Sequence, residues 1–268
     1  MVDRRLRFAT FLAPNMLPVY EFIAHYAGKK LGCRTELFVG ECYEQLGPEA
    51  DVGFICGLPY VHLMRQKERP IELLAAPVLH GKRYGGRPVY FSDVIVRRGS
   101  NFQCFADLRG ASWGYNEPYS HSGFAVVRYH LHRSGESNGY FGKVVQTGWH
   151  ERSIRMVYSG ELDASAIDSQ VLAIALRDDP TLARALRVID CLGPSTIQPV
   201  VAVRRLPAGL KAALRAFLLG LGRDRAARPY LAHGLIERFV GMVDSSYDDI
   251  RAMLAVVDSA CLLQAALA

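Results

Sequence analysis

Segments patterned as buried strands alternate with segments spaced as amphipathic helices along most of this chain, and this alternation constrains its fold more than any other feature. Arg7–Leu12 reads as a buried strand. Pro18 suits a first helical position, Val19, Phe22, Ile23, Tyr26 and Leu31 then recur at helical spacing, and Gly32 is a stop. Strands are expected at Thr35–Val39, Val52–Ile55, Ile71–Val78, Tyr90–Arg97, Ser112–Tyr115, Lys143–Gln146, Ala164–Asp168, Leu186–Asp190 and Val200–Arg204. Helical patterns start near Pro59, Phe124, Ile154 and Val171, and from Pro207 onward the chain reads as almost all helix. Alternation on this scale implies an α/β fold with mainly parallel sheets.

With 268 residues, the chain has room for one large domain or two smaller lobes. Two segments look like crossings between lobes: residues 88–93, which leave a Gly-rich loop, and Gly193-Pro194-Ser195 up to Pro199. The expected division is therefore 1–92 plus 198–268 as one lobe, with 93–197 inserted as the other, and a ligand cleft between them. Half of the residues are hydrophobic, which excludes a disordered or low-complexity chain. Apolar runs stay well short of the ~18–20 residues that span a bilayer, so no membrane insertion is expected. The net charge of +6 is spread along the chain and matches no nucleic-acid motif, so no nucleic-acid partner is expected. Cys33, Cys42, Cys56, Cys104, Cys191 and Cys261 show no metal-ligand spacing and read as free thiols. Neither a metal site nor a cofactor is expected. Met1-Val2-Asp3-Arg4-Arg5 precedes only a short apolar stretch broken at Pro14. As it stands the sequence thus points to the cytoplasm, and to the periplasm if an export signal was removed.

A series of short segments carries a resemblance. They are Leu6-Arg7-Phe8-Ala9-Thr10, Glu41-Cys42-Tyr43, Ala50-Asp51-Val52-Gly53-Phe54 with Gly57-Leu58-Pro59-Tyr60, and Tyr90-Phe91-Ser92-Asp93-Val94-Ile95-Val96. Ala106-Asp107-Leu108-Arg109-Gly110, Ser120-His121-Ser122-Gly123-Phe124, Thr147-Gly148-Trp149-His150 and Asp163 to Ser169 follow in order. Together they resemble the phosphate/phosphite/phosphonate-binding proteins of ABC transporters over Arg7 to about Arg251. The resemblance implies a two-lobed, type 2 periplasmic-binding-protein-like fold that closes on a small anion. It implies that Ser120-His121-Ser122-Gly123 takes the place of the family's Ser-Thr-Ser-Gly oxyanion turn. It also implies ligand contacts from Tyr43, Tyr90, His150 and Asp168. The His at 121 and the Trp at 149 depart from the family's pattern.

The turn has a physical case of its own. A serine ending a loop before an amphipathic helix is a natural N-cap. The first helical N–H groups lack partners and the macrodipole is positive there, so an anion fits. Ser120 and Ser122 add hydroxyls, and Gly123 admits close backbone approach. The plainer reading is a helix cap without a ligand. His121 and His150 can each donate an N–H to an oxyanion. Tyr43 and Tyr90 suit a cleft rim, with an apolar wall and a polar tip, or an ordinary core. Asp168 ends a buried strand, where it either meets a ligand or caps the next helix.

Three functions compete. The leading one is a solute-binding protein for a phosphonate or phosphate-like oxyanion, partnered by a transporter permease or a sensor protein. The alternative is a cytoplasmic enzyme on the same fold, chorismate dehydratase-like or thiamine-pyrimidine-synthase-like. No G-x-S-x-G, P-loop, HExxH or dinucleotide fingerprint supports it. The third is an effector-binding module that docks on a partner protein.

Overall fold

The computed structural model describes residues 5–136 and 139–259. In chain order its elements are β1 (Arg5–Thr10), α1 (Leu17–Leu31), β2 (Arg34–Val39), β3 (Val52–Phe54), α2 (Gly57–Arg65), β4 (Ile71–Leu79), β5 (Val89–Arg97) and β6 (Ser112–Tyr115). There follow α3 (Val126–Arg133), β7 (Lys143–Gln146), α4 (His150–Ser159), β8 (Ala164–Asp168), α5 (Ser169–Asp178), α6 (Pro180–Ala185) and β9 (Leu186–Thr196). The last are β10 (Val200–Val203), α7 (Ala208–Gly220), α8 (Arg228–His233), β11 (Ile236–Val240) and α9 (Asp248–Ser259).

Helix boundaries follow local chemistry. Pro18 sits in the first turn of α1, and Gly32 ends that helix in the left-handed region at φ 64°, its N–H returning to the Gly28 carbonyl. Gly160 ends α4 in the same way at φ 85°.

These elements form two units, Met1–Val89 with Thr196–Asp248, and Tyr90–Ser195 with Asp249–Ala268. The first holds a six-stranded sheet in the order β11-β4-β10-β3-β1-β2. Phe8 and Phe54 lie in its core, where Tyr20 stacks on Phe54 at 4.3 Å between ring centroids. The second holds a five-stranded sheet in the order β7-β6-β8-β5-β9. Its core joins Val94, Phe105, Trp113, Val127 and Phe141, with Trp113 stacked on Phe141 at 4.5 Å. Each such side chain contributes about 1.5–3 kcal/mol by leaving water.

The structure corrects three expectations. The sheets are mixed, with β1–β2, β1–β3, β6–β7 and β6–β8 parallel. The pairs β10–β3, β10–β4, β11–β4 and β5–β8 are antiparallel. Helical crossovers produce the parallel pairs. Each antiparallel pair includes β5, β10 or β11, and β5 and β10 follow another strand with no α-helix between. The C-terminal stretch is not all helix, because β11 borders β4; a bulge between Ile236 and Arg238 hides its period-2 pattern. Residues 249–259 group with the second unit instead of the first. The reason is that α9 lays Met253 against that unit's core, and Arg128 donates to the Val257 carbonyl at 3.4 Å.

Among the described residues Cys33, Cys42, Cys56, Cys104 and Cys191 form no disulfide, and Cys261 lies outside the described residues. Among the described residues no helix is long and apolar enough to cross a membrane.

Candidate functional site

The second unit gathers polar side chains at the C-terminal ends of its parallel strands, the end where α/β sheets take ligands. After β6 ends at Tyr115, the loop through Asn116 and Glu117 leads to Ser120. The backbone of Ser120 is extended, and its Oγ accepts the Gly123 N–H at 3.0 Å. His121–Ala125 is one turn of π-helix, closed by the Ala125 N–H on the Ser120 carbonyl, and α3 continues from it. A π turn at a helix start widens the ring of backbone amides. The cap comes from the sequence as expected; the burial of the helix start and the π turn were not legible in it. Replacing Ser120 by Ala should cost about 1 kcal/mol in urea unfolding without ligand, the ordinary value of a cap.

Ser120, His121 and Ser122 are all buried. Ser92 of β5 donates to the Ser122 carbonyl at 2.6 Å, which fixes the turn to the sheet. The β7–α4 loop is held to the same place, for the Thr147 N–H meets the Tyr115 carbonyl and the Gly148 N–H meets the Asn116 carbonyl, each at 2.8 Å. His150 begins α4, and its Nε2 lies 3.0 Å from Ser122 Oγ. His121 Nε2 lies 2.9 Å from Ser195 Oγ, at the end of β9. Burial pushes both imidazoles down to about 4 from 6.5, so both are neutral near pH 7. Burial also raises the Glu117 carboxyl.

Three buried polar atoms among these groups have no hydrogen-bond partner: Asn116 Oδ1, His121 Nδ1 and His150 Nδ1. Gly123 lies beneath two of them. A Cβ there would stand 2.0 Å from Asn116 Oδ1 and 3.3 Å from His150 Cε1.

Of the residues expected from sequence, Ser120, His121, Ser122, Gly123 and His150 thus lie together. Tyr90 is fully buried in β5, with its ring 6.4 Å from that of His121. Asp168 ends β8 opposite Ser92 and caps α5, its Oδ1 accepting from the N–H groups of Gln170 and Val171 at 2.8 and 3.3 Å. Tyr43 belongs to the first unit, where it is half-buried and stacks on Phe11 at 4.7 Å. Asp51 is structural, bridged to Arg205 at 2.8 Å and accepting the Arg7 N–H at 3.0 Å. Sequence reasoning did not select Asn116, Ser92 or Ser195. For Asn116 a signal existed: a polar residue directly after a buried strand.

Two mixed α/β units, one presenting a serine-rich helix start at its strand ends, have the architecture of the periplasmic-binding-protein fold. The binding-protein component of an ABC phosphonate transporter from Pseudomonas aeruginosa matches 96% of this chain and 87% of its own, with TM-score 0.83 and 18% identity. PhnD1 from Prochlorococcus marinus, solved in complex with methylphosphonate, matches 96% of this chain and 99% of its own, with TM-score 0.79 and 17% identity. XAC2383 from Xanthomonas citri, solved with chloride bound, matches 95% of this chain and 98% of its own, with TM-score 0.71 and 17% identity. The sequence matches the family described as the periplasmic substrate-binding proteins of phosphonate ABC transporters over residues 14–247, and the chain belongs to that family. The family implies a small ligand and a transporter permease as partners, and favours the solute-binding reading over the enzyme alternative.

Proposed function

We propose that this protein is the solute receptor of a phosphonate-class uptake system and holds a small tetrahedral phosphorus oxyanion at the Ser120–Gly123 turn. The observation that carries this reading is the buried helix start ringed by polar atoms without protein partners. Buried polar groups are nearly always satisfied, so such a cluster in one place points to an outside occupant. Ser120 spends a lone pair on its cap and keeps its hydroxyl hydrogen to donate. The hydrogen-bonded pair Ser122–His150 supplies one further donor, and the first N–H groups of the helix supply others. Tyr90, His121 and Asp168 border the ligand, and Tyr43 is retained as a further contact. Membership of a family of periplasmic transporter components favours the periplasm as the compartment and a permease, not a sensor, as the partner.

Calorimetry and thermal unfolding with methylphosphonate, phosphate, phosphite and methanesulfonate test the reading. A ligand at 100 times its dissociation constant should add about 2.7 kcal/mol of stability. Ser122→Ala should then weaken binding by about 1.5–3 kcal/mol, the loss of one hydrogen bond to a charged group. Undiminished affinity in that variant would remove the turn from the site. Phosphorus NMR should show the bound ligand unconverted; turnover beyond one equivalent would restore the enzyme alternative.

A further inference from the structure

We propose that the turn selects the singly ionised, hydroxyl-bearing form of its phosphorus oxyanion over the doubly ionised form and over a sulfonate, and that His121 paired with Ser195 sets this choice. The proposal rests on the anion reading given above. It follows from counting hydrogens.

Two serine–imidazole contacts lie in this site, His121 Nε2 with Ser195 Oγ at 2.9 Å and His150 Nε2 with Ser122 Oγ at 3.0 Å. Each contact holds one hydrogen. A serine brings one hydroxyl hydrogen and a neutral imidazole brings one N–H, so each pair keeps one hydrogen for another partner. Two arrangements exist. If the imidazole donates to the serine, the hydroxyl hydrogen is left over and Nδ1 is a bare acceptor. If the serine donates to the imidazole, Nδ1 carries the hydrogen and the serine oxygen keeps its lone pairs. Either way each pair presents one donor and one acceptor. Asn116 Oδ1 is a third buried acceptor without a partner.

A sulfonate or a doubly ionised phosphonate has only lone pairs, so it satisfies the donors and leaves these acceptors bare. Leaving a buried acceptor unmet costs its desolvation. A P–OH group supplies a hydrogen to one of these three acceptors, namely that of the His121–Ser195 pair. Charge argues in the same direction. No Lys or Arg residue is buried as a whole among the described residues, although Nε of the half-buried Arg128 on α3 is buried. The anionic and neutral titratable groups nearest the turn are Tyr90 and Asp93 of β5, Tyr115 of β6, Glu117 in the loop, His150 and Glu151 of α4, and Asp168 of β8; the cations on these and the adjoining elements are Arg97 of β5, Arg128 and Arg133 of α3, Lys143 of β7, Arg152 and Arg155 of α4, and Arg187 of β9. Arg97, Arg133, Lys143, Arg152 and Arg155 are exposed to solvent, while the half-buried Arg128 and Arg187 donate to the carbonyls of Val257 and Ser100 at 3.4 and 3.2 Å. A helix start offers the equivalent of roughly half a positive charge, which suits one negative charge better than two.

The test is calorimetry with methylphosphonate and methanesulfonate from pH 6 to 8.5, with the ligand's second ionisation read by phosphorus NMR in the same buffers. The expected methylphosphonate affinity is level below that ionisation and falls about tenfold per pH unit above it, as the singly ionised form is depleted. Methanesulfonate should bind at least tenfold more weakly at pH 6, roughly one unmet hydrogen bond. His121→Leu should narrow that gap about tenfold and leave Ser122 engaged. Methylphosphonate affinity that holds or rises above the second ionisation overturns the proposal, on the wild-type protein alone. Should no phosphorus oxyanion bind at any pH, the anion reading of the turn falls together with it, which is a different result from binding with the wrong slope.

Discussion

Lowering the pH from 7.5 to 5 should destabilise the ligand-free protein by about 2 kcal/mol for each of His121 and His150, and by about 3 kcal/mol each by pH 4. The sign follows from burial. In the unfolded chain an imidazole takes a proton near 6.5, whereas these two in the folded protein do so only near 4. Their contribution is therefore fully present above pH 6.5, is lost as the pH falls from 6.5 towards 4, and levels off below that. Urea unfolding at pH 7.5, 6, 5 and 4.5 measures it. Most of this range lies above the carboxylates Glu36, Asp107, Asp179 and Asp224, whose pKa values are lowered. The double variant His121→Gln/His150→Gln should lose most of the slope. A variant as acid-sensitive as the wild type would falsify this assignment. His130, also lowered by burial, should supply only a remainder.

Gly123→Ala should cost about 1–3 kcal/mol or more in stability and weaken binding of a proven ligand at least tenfold. The added methyl would stand 2.0 Å from Asn116 Oδ1 and 3.1 Å from Asn116 Cγ. Asn116 is buried and short, so it cannot swing aside as the end of a long side chain would. Relief would push Asn116 and the nearby His150 ring away from the places where they meet the turn. Gly209→Ala is the control, since nothing lies within 4 Å of a Cβ there. In α7 that change should be neutral or stabilising by up to about 1 kcal/mol. Equal unfolding midpoints and ligand affinities for the two variants would show that the space above Gly123 is not constrained.

What the sequence disclosed follows from the range of the interactions concerned. The capped turn at Ser120 and the stops at Gly32 and Gly160 are local and were legible from a few residues. Strands bounded by a helix pattern, such as β6, β7 and β8, fell where alternation placed them. β11 did not, because its bulge disrupts alternation and only β4 beside it fixes it as a strand. The His121–Ser195 contact spans 74 residues of sequence and has no local signature. The neutral state of both imidazoles was equally out of reach, since it depends on burial that no spacing records. Asp168 was placed at a strand end, and the structure gives it a cap whose local bonds the alternative reading had anticipated.

The C-terminal helix has a practical consequence for anyone wishing to isolate or label the part that carries the Ser120–Gly123 turn. That unit is stitched from two stretches of chain, Tyr90–Ser195 and Asp249–Ala268. A gene fragment covering 90–195 would omit α9 and with it the buried Ile250, Leu254 and Val257. No single excision yields a complete module; a permuted chain that brings the two stretches together would be needed. A fluorophore, surface tether or pulling handle on α9 is likewise coupled to the turn's own unit, whereas the same attachment on β1 is coupled to the other.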